Sequence, residues 1–275
     1  MDYSTVLPVV AIMLVTGLAG GILAGMLGVG GGIIIVPVLE FALQFAGVPD
    51  GQRMHVAIAT SLATIVPTSI SSTRAHQARG AIDWPLARSW ALAVVAGATL
   101  GSLLAARASP YWLTAIFGVV ALAVGAKMFL PLDDWRLASV VPQGVAGSVI
   151  GSLLGGLSAV MGIGGGTLAV PTLTLCGKSI HRAVATSAFF GLLISVPGTI
   201  IYMLARPPAA LPALTIGYVS LFGLLLIAPG SWLTAPWGAR LAHALSKRQL
   251  ARVFGAFLLV VAARMLYRSW TGVHL

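Results

Sequence analysis

Long apolar runs, broken by single charges, dominate the chain. Residues 3 to 39, 89 to 106, 108 to 126, 138 to 177, 183 to 205 and 207 to 239 contain no Asp, Glu, Lys or Arg. About 20 apolar residues suffice to cross a bilayer, so several of these runs hold more than one helix. Glycine, proline and loop charges divide each half into five apolar segments. In the first half they are roughly 7–28, 31–47, 55–73, 85–106 and 111–130; in the second, 138–161, 164–177, 183–205, 213–235 and 251–268. The pattern predicts an all-α, polytopic bundle of transmembrane helices. The start of the chain lacks the basic n-region and clear cleavage site of a secretory signal, so its first segment is read as a retained helix.

The two halves repeat one another. GVGGGIIIVPVL at 28–39 recurs as GIGGGTLAVPTL at 162–173, and HVAIATS at 55–61 recurs as HRAVATS at 181–187. Pro67 and Pro197 follow a little further along each copy. Phe117-Gly118 and Lys127-Met128 likewise correspond to Phe254-Gly255 and Arg264-Met265. The expected organisation is a first repeat over 1–130, a polar linker over 131–137 and a second repeat over 138–275. An odd number of crossings per repeat inverts one copy relative to the other. With ten crossings, eleven Lys and Arg (74, 79, 88, 127, 136, 178, 182, 240, 247, 248, 252) fall on one face and five (53, 107, 206, 264, 268) on the other. If the second segment of each half is a re-entrant hairpin, they divide eight to eight. The ten-segment reading therefore agrees with the positive-inside rule, with the richer face cytoplasmic and both termini outside.

Composition sharpens this. Of 275 residues, 58% are hydrophobic and 8% charged, against about 25% charged in soluble domains. The net charge of +10 is scattered singly along loops, without the clustering a nucleic-acid surface needs. Cys176, the one cysteine, leaves no internal disulfide and no multi-cysteine metal site. No cofactor or metal is expected. An intramembrane enzyme needs a nucleophile with a base, paired acids or metal ligands, and no such constellation is present; the chain is read as a non-enzyme.

Inverted repeats characterise secondary transporters, because two antiparallel copies of a unit can expose a shared site to either side in turn. Gly28, Gly30, Gly31, Gly32 and Gly162, Gly164, Gly165, Gly166 interrupt helical runs, since each glycine lowers helix propensity by about 1 kcal/mol. Broken backbone is tolerated in a membrane where it is buried in protein or lines a cavity. The helix starting after each break offers unpaired N–H groups to an anion. Neither cluster carries the Lys-Ser/Thr pair of a nucleotide P-loop. The alternative role for such glycines, close helix packing, is the preferred one for Gly17, Gly20, Gly21, Gly25, Gly97, Gly101, Gly151, Gly155 and Gly156. Thr60, Ser61, Thr186 and Ser187 of the recurring ATS can donate to an oxyanion, or bond their own helix backbone. His55 and His181 open the same helices, as proton-coupling groups or as capping residues. Glu40, an acid inside an apolar segment, is a coupling candidate by virtue of its burial; its counterpart is Thr174. Lys127 and Arg264 are expected to snorkel, and the seven tryptophans mostly lie near span ends, as an aromatic belt. A first segment long enough to cross completely would place the glycine break near a face, leaving its depth open.

In the paired GVGGGIIIVP and GIGGGTLAVP motifs, with HVAIATS and HRAVATS after them, the chain resembles the TauE/SafE family of sulfite exporters and related permeases, over about residues 7 to 268. That resemblance implies transport of a small sulfur-containing or organic anion across a bacterial inner membrane. By analogy, Gly30, Gly31, Gly32, Gly164, Gly165, Gly166, Thr60, Ser61, Thr186 and Ser187 line its site. The function expected is alternating-access transport of a small anion, with possible proton coupling; a passive anion channel is the alternative. Its partners are the solute and the bilayer.

Overall fold

The computed structural model describes residues 10–11, 13–22, 31–129, 140–212, 214–244 and 247–271, the side chains of 235, 236, 238–248, 250, 251, 253 and 254 excepted. Gly25, Gly28, Gly30, Trp135 and the 131–137 link lie outside the described residues.

Among the described residues the chain forms ten helices and one small hairpin. The first half comprises α1, described over Met13–Ile22, α2 (Gly32–Leu43), α3 (Asp50–Ala78), α4 (Trp84–Ala105) and α5 (Pro110–Phe129). The second comprises α6 (Gly144–Met161), α7 (Gly166–Leu175), α8 (Ile180–Leu204), α9 (Leu221–Ala244) and α10 (Lys247–Thr271). Between α8 and α9, β1 (Thr215–Ile216) pairs antiparallel with β2 (Val219–Ser220). Helices α3, α4, α5, α6 and α8 are long and apolar enough to cross a membrane. With polar backbone groups satisfied inside each helix, such a bundle suits hydrocarbon.

Small residues decide which helices touch. Gly97 and Gly101 of α4 lie against the backbones of Ser152 and Gly156 of α6, and Gly17 and Gly21 of α1 against Ile227 and Ser231 of α9. In both pairs residue numbers rise together, so the helices run parallel. Their glycines thus pack closely, as the small-residue spacing predicts. Gly118 of α5 meets Leu266 of α10, and Gly125 meets Leu258, so this pair is antiparallel. In the middle, α3 and α8 cross antiparallel: Gly191 faces Ser69, and Gly198 faces Leu62.

Two expectations need correction. Trp90 is not part of an interfacial belt; it is buried, stacks on Phe190 and donates to the Pro142 carbonyl at 3.2 Å. A buried indole needs an acceptor, and the turn before α6 supplies one. Trp112, Trp232, Trp237 and Trp270 are exposed, as a belt requires. Arg264 does not simply snorkel, because Glu40 of α2 binds it at 3.1 Å.

Candidate functional site

The depth of the glycine breaks follows from what they touch. Helix α7 has 10 residues and α2 has 12, so at about 1.5 Å per residue they reach about 15 and 18 Å, half of a hydrocarbon core of about 30 Å. Gly162, in the left-handed conformation at φ 66°, ends α6. A Cβ there would lie 2.8 Å from Ile58 Cα. Ile58 is about two turns inside the 29-residue α3, which puts the second break in the interior of the bundle rather than at a face.

The two breaks meet. A Cβ on Gly32, the first residue of α2, would be 2.7 Å from the Gly162 carbonyl oxygen and 2.8 Å from Ile163 Cα. Gly31 precedes it at φ 73°, a conformation that glycine adopts without strain. Gly165 packs on α8, where a Cβ would lie 2.8 Å from the Ser187 carbonyl oxygen and 2.9 Å from the Gly191 nitrogen. Neither α2 nor α7 has a side-chain cap at its start. Uncapped helix starts leave N–H groups without helical partners, and the aligned peptide dipoles add roughly half a positive charge at each.

The recurring ATS segments lie at this junction, and every one of their hydroxyls is buried. Ser61 donates to the Gly162 carbonyl at 2.7 Å. Thr60 Oγ1 accepts from the Ser220 amide at 3.0 Å, and Thr186 Oγ1 accepts from the Asp83 amide at 3.1 Å. Ser220 immediately precedes α9 and its Oγ accepts from the Gly223 amide; Asp83 precedes α4 and its Oδ1 accepts from the Leu86 amide. Each threonine of a third helix thus holds the capping residue of the fourth helix from the other half. Both hydroxyls retain their own proton for donation. Ser187 Oγ is buried with no partner among the described residues, and so is Thr167 Oγ1 in the first turn of α7. Thr167 escapes a repeat-based search, because its counterpart is Ile33. Ser102 and Ser158, on the adjoining α4 and α6, are also buried without partners among the described residues.

The coupling candidates are dispersed. Glu40, 2% exposed, is bound by Arg264 and Arg268, and Arg268 also reaches Asp50. The ends of α2 and α10 and the start of α3 are therefore tied together on one face. His55 is buried, stacks on Tyr218 at 5.0 Å, and places Nε2 3.1 Å from the Ala108 carbonyl. His181 is exposed at the start of α8. At that end Lys178 binds Asp83 at 2.5 Å, joining the loop before α8 to the loop before α4. Burial works to raise the Asp83 carboxyl, but the Lys178 hydrogen bond, the Leu86 amide and the charges of Lys178 and Arg182 outweigh it and hold the group below the ordinary carboxylate range.

Tightly packed apolar helices, five of them long enough to cross a bilayer, define a polytopic membrane protein rather than a soluble binding module. Residues 13–265 match the family described as "Sulfite exporter TauE/SafE", and the chain belongs to that family. Among similar proteins, a probable membrane transporter protein of Haemophilus influenzae is 34% identical over 93% of this chain and 97% of its own length. The probable membrane transporter protein YunE of Bacillus subtilis is 25% identical over 94% and 97%. A probable membrane transporter protein of Methanocaldococcus jannaschii is 27% identical over 93% and 94%. No solved structure matches the chain. The protein is a multi-pass membrane transporter for a small solute, consistent with a non-enzymatic role.

Proposed function

We propose that the chain is a secondary transporter for a small anion, a sulfur oxyanion, sulfonate or organic carboxylate, working by alternating access. The carrying observation is the contact of the uncapped start of α2 with the Gly162–Ile163 break that leads into the uncapped start of α7, where the hydroxyls of Ser187 and Thr167 have no partner among the described residues. Amide and hydroxyl donors without a fixed cation recognise an oxyanion while still allowing its release. Gly31, Gly32, Gly164, Gly165, Gly166, Thr60, Ser61, Thr186 and Ser187 form the lining, to which Thr167 is added. The family's description names sulfite, so sulfur oxyanions head the set of candidate solutes.

Alternating access follows if residues 1–130 and 138–275 are inverted copies joined by 131–137. Packing supports this reading: α4 lies along α6, and α1 along α9, so each fourth helix accompanies the first helix of the other half. The third helices cross antiparallel, as do the fifth. Exchange between two such arrangements separates Gly32 from Gly162 on one side or the other and opens the donors to solute. Both termini lie outside the bacterial inner membrane on this reading. Glu40, His55 and His181 are the candidates for proton coupling; Glu40, already held by two arginines, would release α10 on protonation.

Flux into proteoliposomes tests the proposal, with sulfite, a sulfonate, sulfate and a carboxylate, each with and without a pH gradient. Uphill accumulation or counter-transport of one anion is expected. Conductance that follows potential, with no counter-transport, would establish the passive channel instead; movement of uncharged solutes alone would sink both.

A further inference from the structure

Near the end of α10 an open groove of about 250 Å³ runs between α10 and α2, lined by Pro37, Val38, Phe41, Val261 and Arg264. Its walls are hydrocarbon apart from one guanidinium. The Arg264 Cζ lies 5.1 Å from the Phe41 ring centroid, as a cation over an aromatic face. Its side chain is 38% exposed, and among the described residues Nη1 is its one hydrogen-bond donor, toward Glu40. Arginine carries five N–H donors, so most of the fork of this groove-lining residue has no partner among the described residues.

The surrounding charge does not balance. Among the described residues, the network joins Arg53, Arg264 and Arg268 to Glu40 and Asp50. Three guanidiniums against two carboxylates leave one positive charge, and Arg264 is the most exposed of the three arginines. The groove also sits at a definable depth. Tyr267 and Trp270, within two turns of Arg264, are 65% and 88% exposed. Exposed aromatic rings of this kind mark the headgroup level of a bilayer. An apolar furrow facing lipid, with an uncompensated guanidinium about a turn below the aromatic belt, matches an amphiphile with an anionic head and an acyl tail.

We propose that this groove binds an anionic phospholipid of the leaflet on that face, its phosphate on Arg264 and one acyl chain along Val38, Phe41 and Val261. The site is separate from the glycine breaks and does not rest on the anion-transport reading. Bound there, the lipid would bridge α2 and α10 beside the Glu40 pair and so stabilise the end of the helix whose other end carries Gly32.

Native mass spectrometry of the detergent-purified full chain tests this, with phosphatidylglycerol, phosphatidylcholine of the same chain length, and inorganic phosphate as probes. Phosphatidylglycerol is expected to bind about fivefold more tightly than phosphatidylcholine, the equivalent of about 1 kcal/mol for one basic residue near an anionic headgroup. R264Q should abolish that preference. V261W, which fills the groove and keeps the guanidinium, should lower the affinity for phosphatidylglycerol at least about fivefold, and V38W provides the same block from α2 should V261W elute as aggregate. Equal binding of the two lipids by the wild-type chain, unchanged binding in both tryptophan variants, or phosphate competing away the lipid would overturn the proposal.

Discussion

Replacing Thr60 or Thr186 by valine separates two jobs that one hydroxyl could do. Valine keeps the shape of the side chain, so no cavity forms, but the acceptor disappears. In Thr60→Val the Ser220 amide loses its 3.0 Å partner at a fully buried bond; in Thr186→Val the Asp83 amide loses its 3.1 Å partner. A buried N–H left without an acceptor costs about 1–3 kcal/mol. Each variant should therefore melt a few degrees below the wild type in detergent, in proportion to that loss. Thr60→Ser and Thr186→Ser retain the acceptor oxygen and should lose less. The two bonds join different helix pairs, so the double valine variant should show nearly the sum of the single losses. Thermal unfolding followed by tryptophan fluorescence or by size-exclusion after heating reads this directly. Melting temperatures unchanged in both valine variants, combined with lost transport, would refute the capping role and leave these hydroxyls as ligand groups alone.

Ser187→Ala should behave in the opposite way, because its Oγ is buried without a partner among the described residues: stability is unchanged or slightly raised, while anion flux into proteoliposomes falls severalfold. Gly32→Ala places a methyl 2.7 Å from the Gly162 carbonyl oxygen, an overpacking that costs about 1–3 kcal/mol; thermal unfolding and flux should both suffer, and a variant as stable and active as the wild type would contradict the close meeting of the breaks. Asp83 has its carboxyl held below the ordinary range, so its contribution to stability is fully present above the unfolded value of about 4 and fades as pH falls through the lower folded value. An Asp83→Asn variant should lose that acid-dependent part of the melting curve below about pH 4, which a pH series of melting temperatures checks.

That this is a helical membrane bundle is legible from composition and pattern alone, because lipid admits few other solutions for a chain with so little charge. The repeated GGG and ATS motifs, and the glycines that let α4 meet α6 and α1 meet α9, were equally legible, since spacing within a helix fixes which face is small. Pairings between residues far apart along the chain emerge only once it is folded. Glu40 and Arg264 stand 224 residues apart, and the Thr60 hydroxyl finds an amide 160 residues away; local patterns carry no information about either pairing. The burial of Trp90 is hidden from local pattern for the same reason, since an indole fits an interface as well as a core until its acceptor is known. The depth of the breaks was settled in the fold too. A run of apolar residues has the same composition whether it crosses fully or ends halfway, and only the contact of Gly162 with Ile58 shows where in α3 the chain turns.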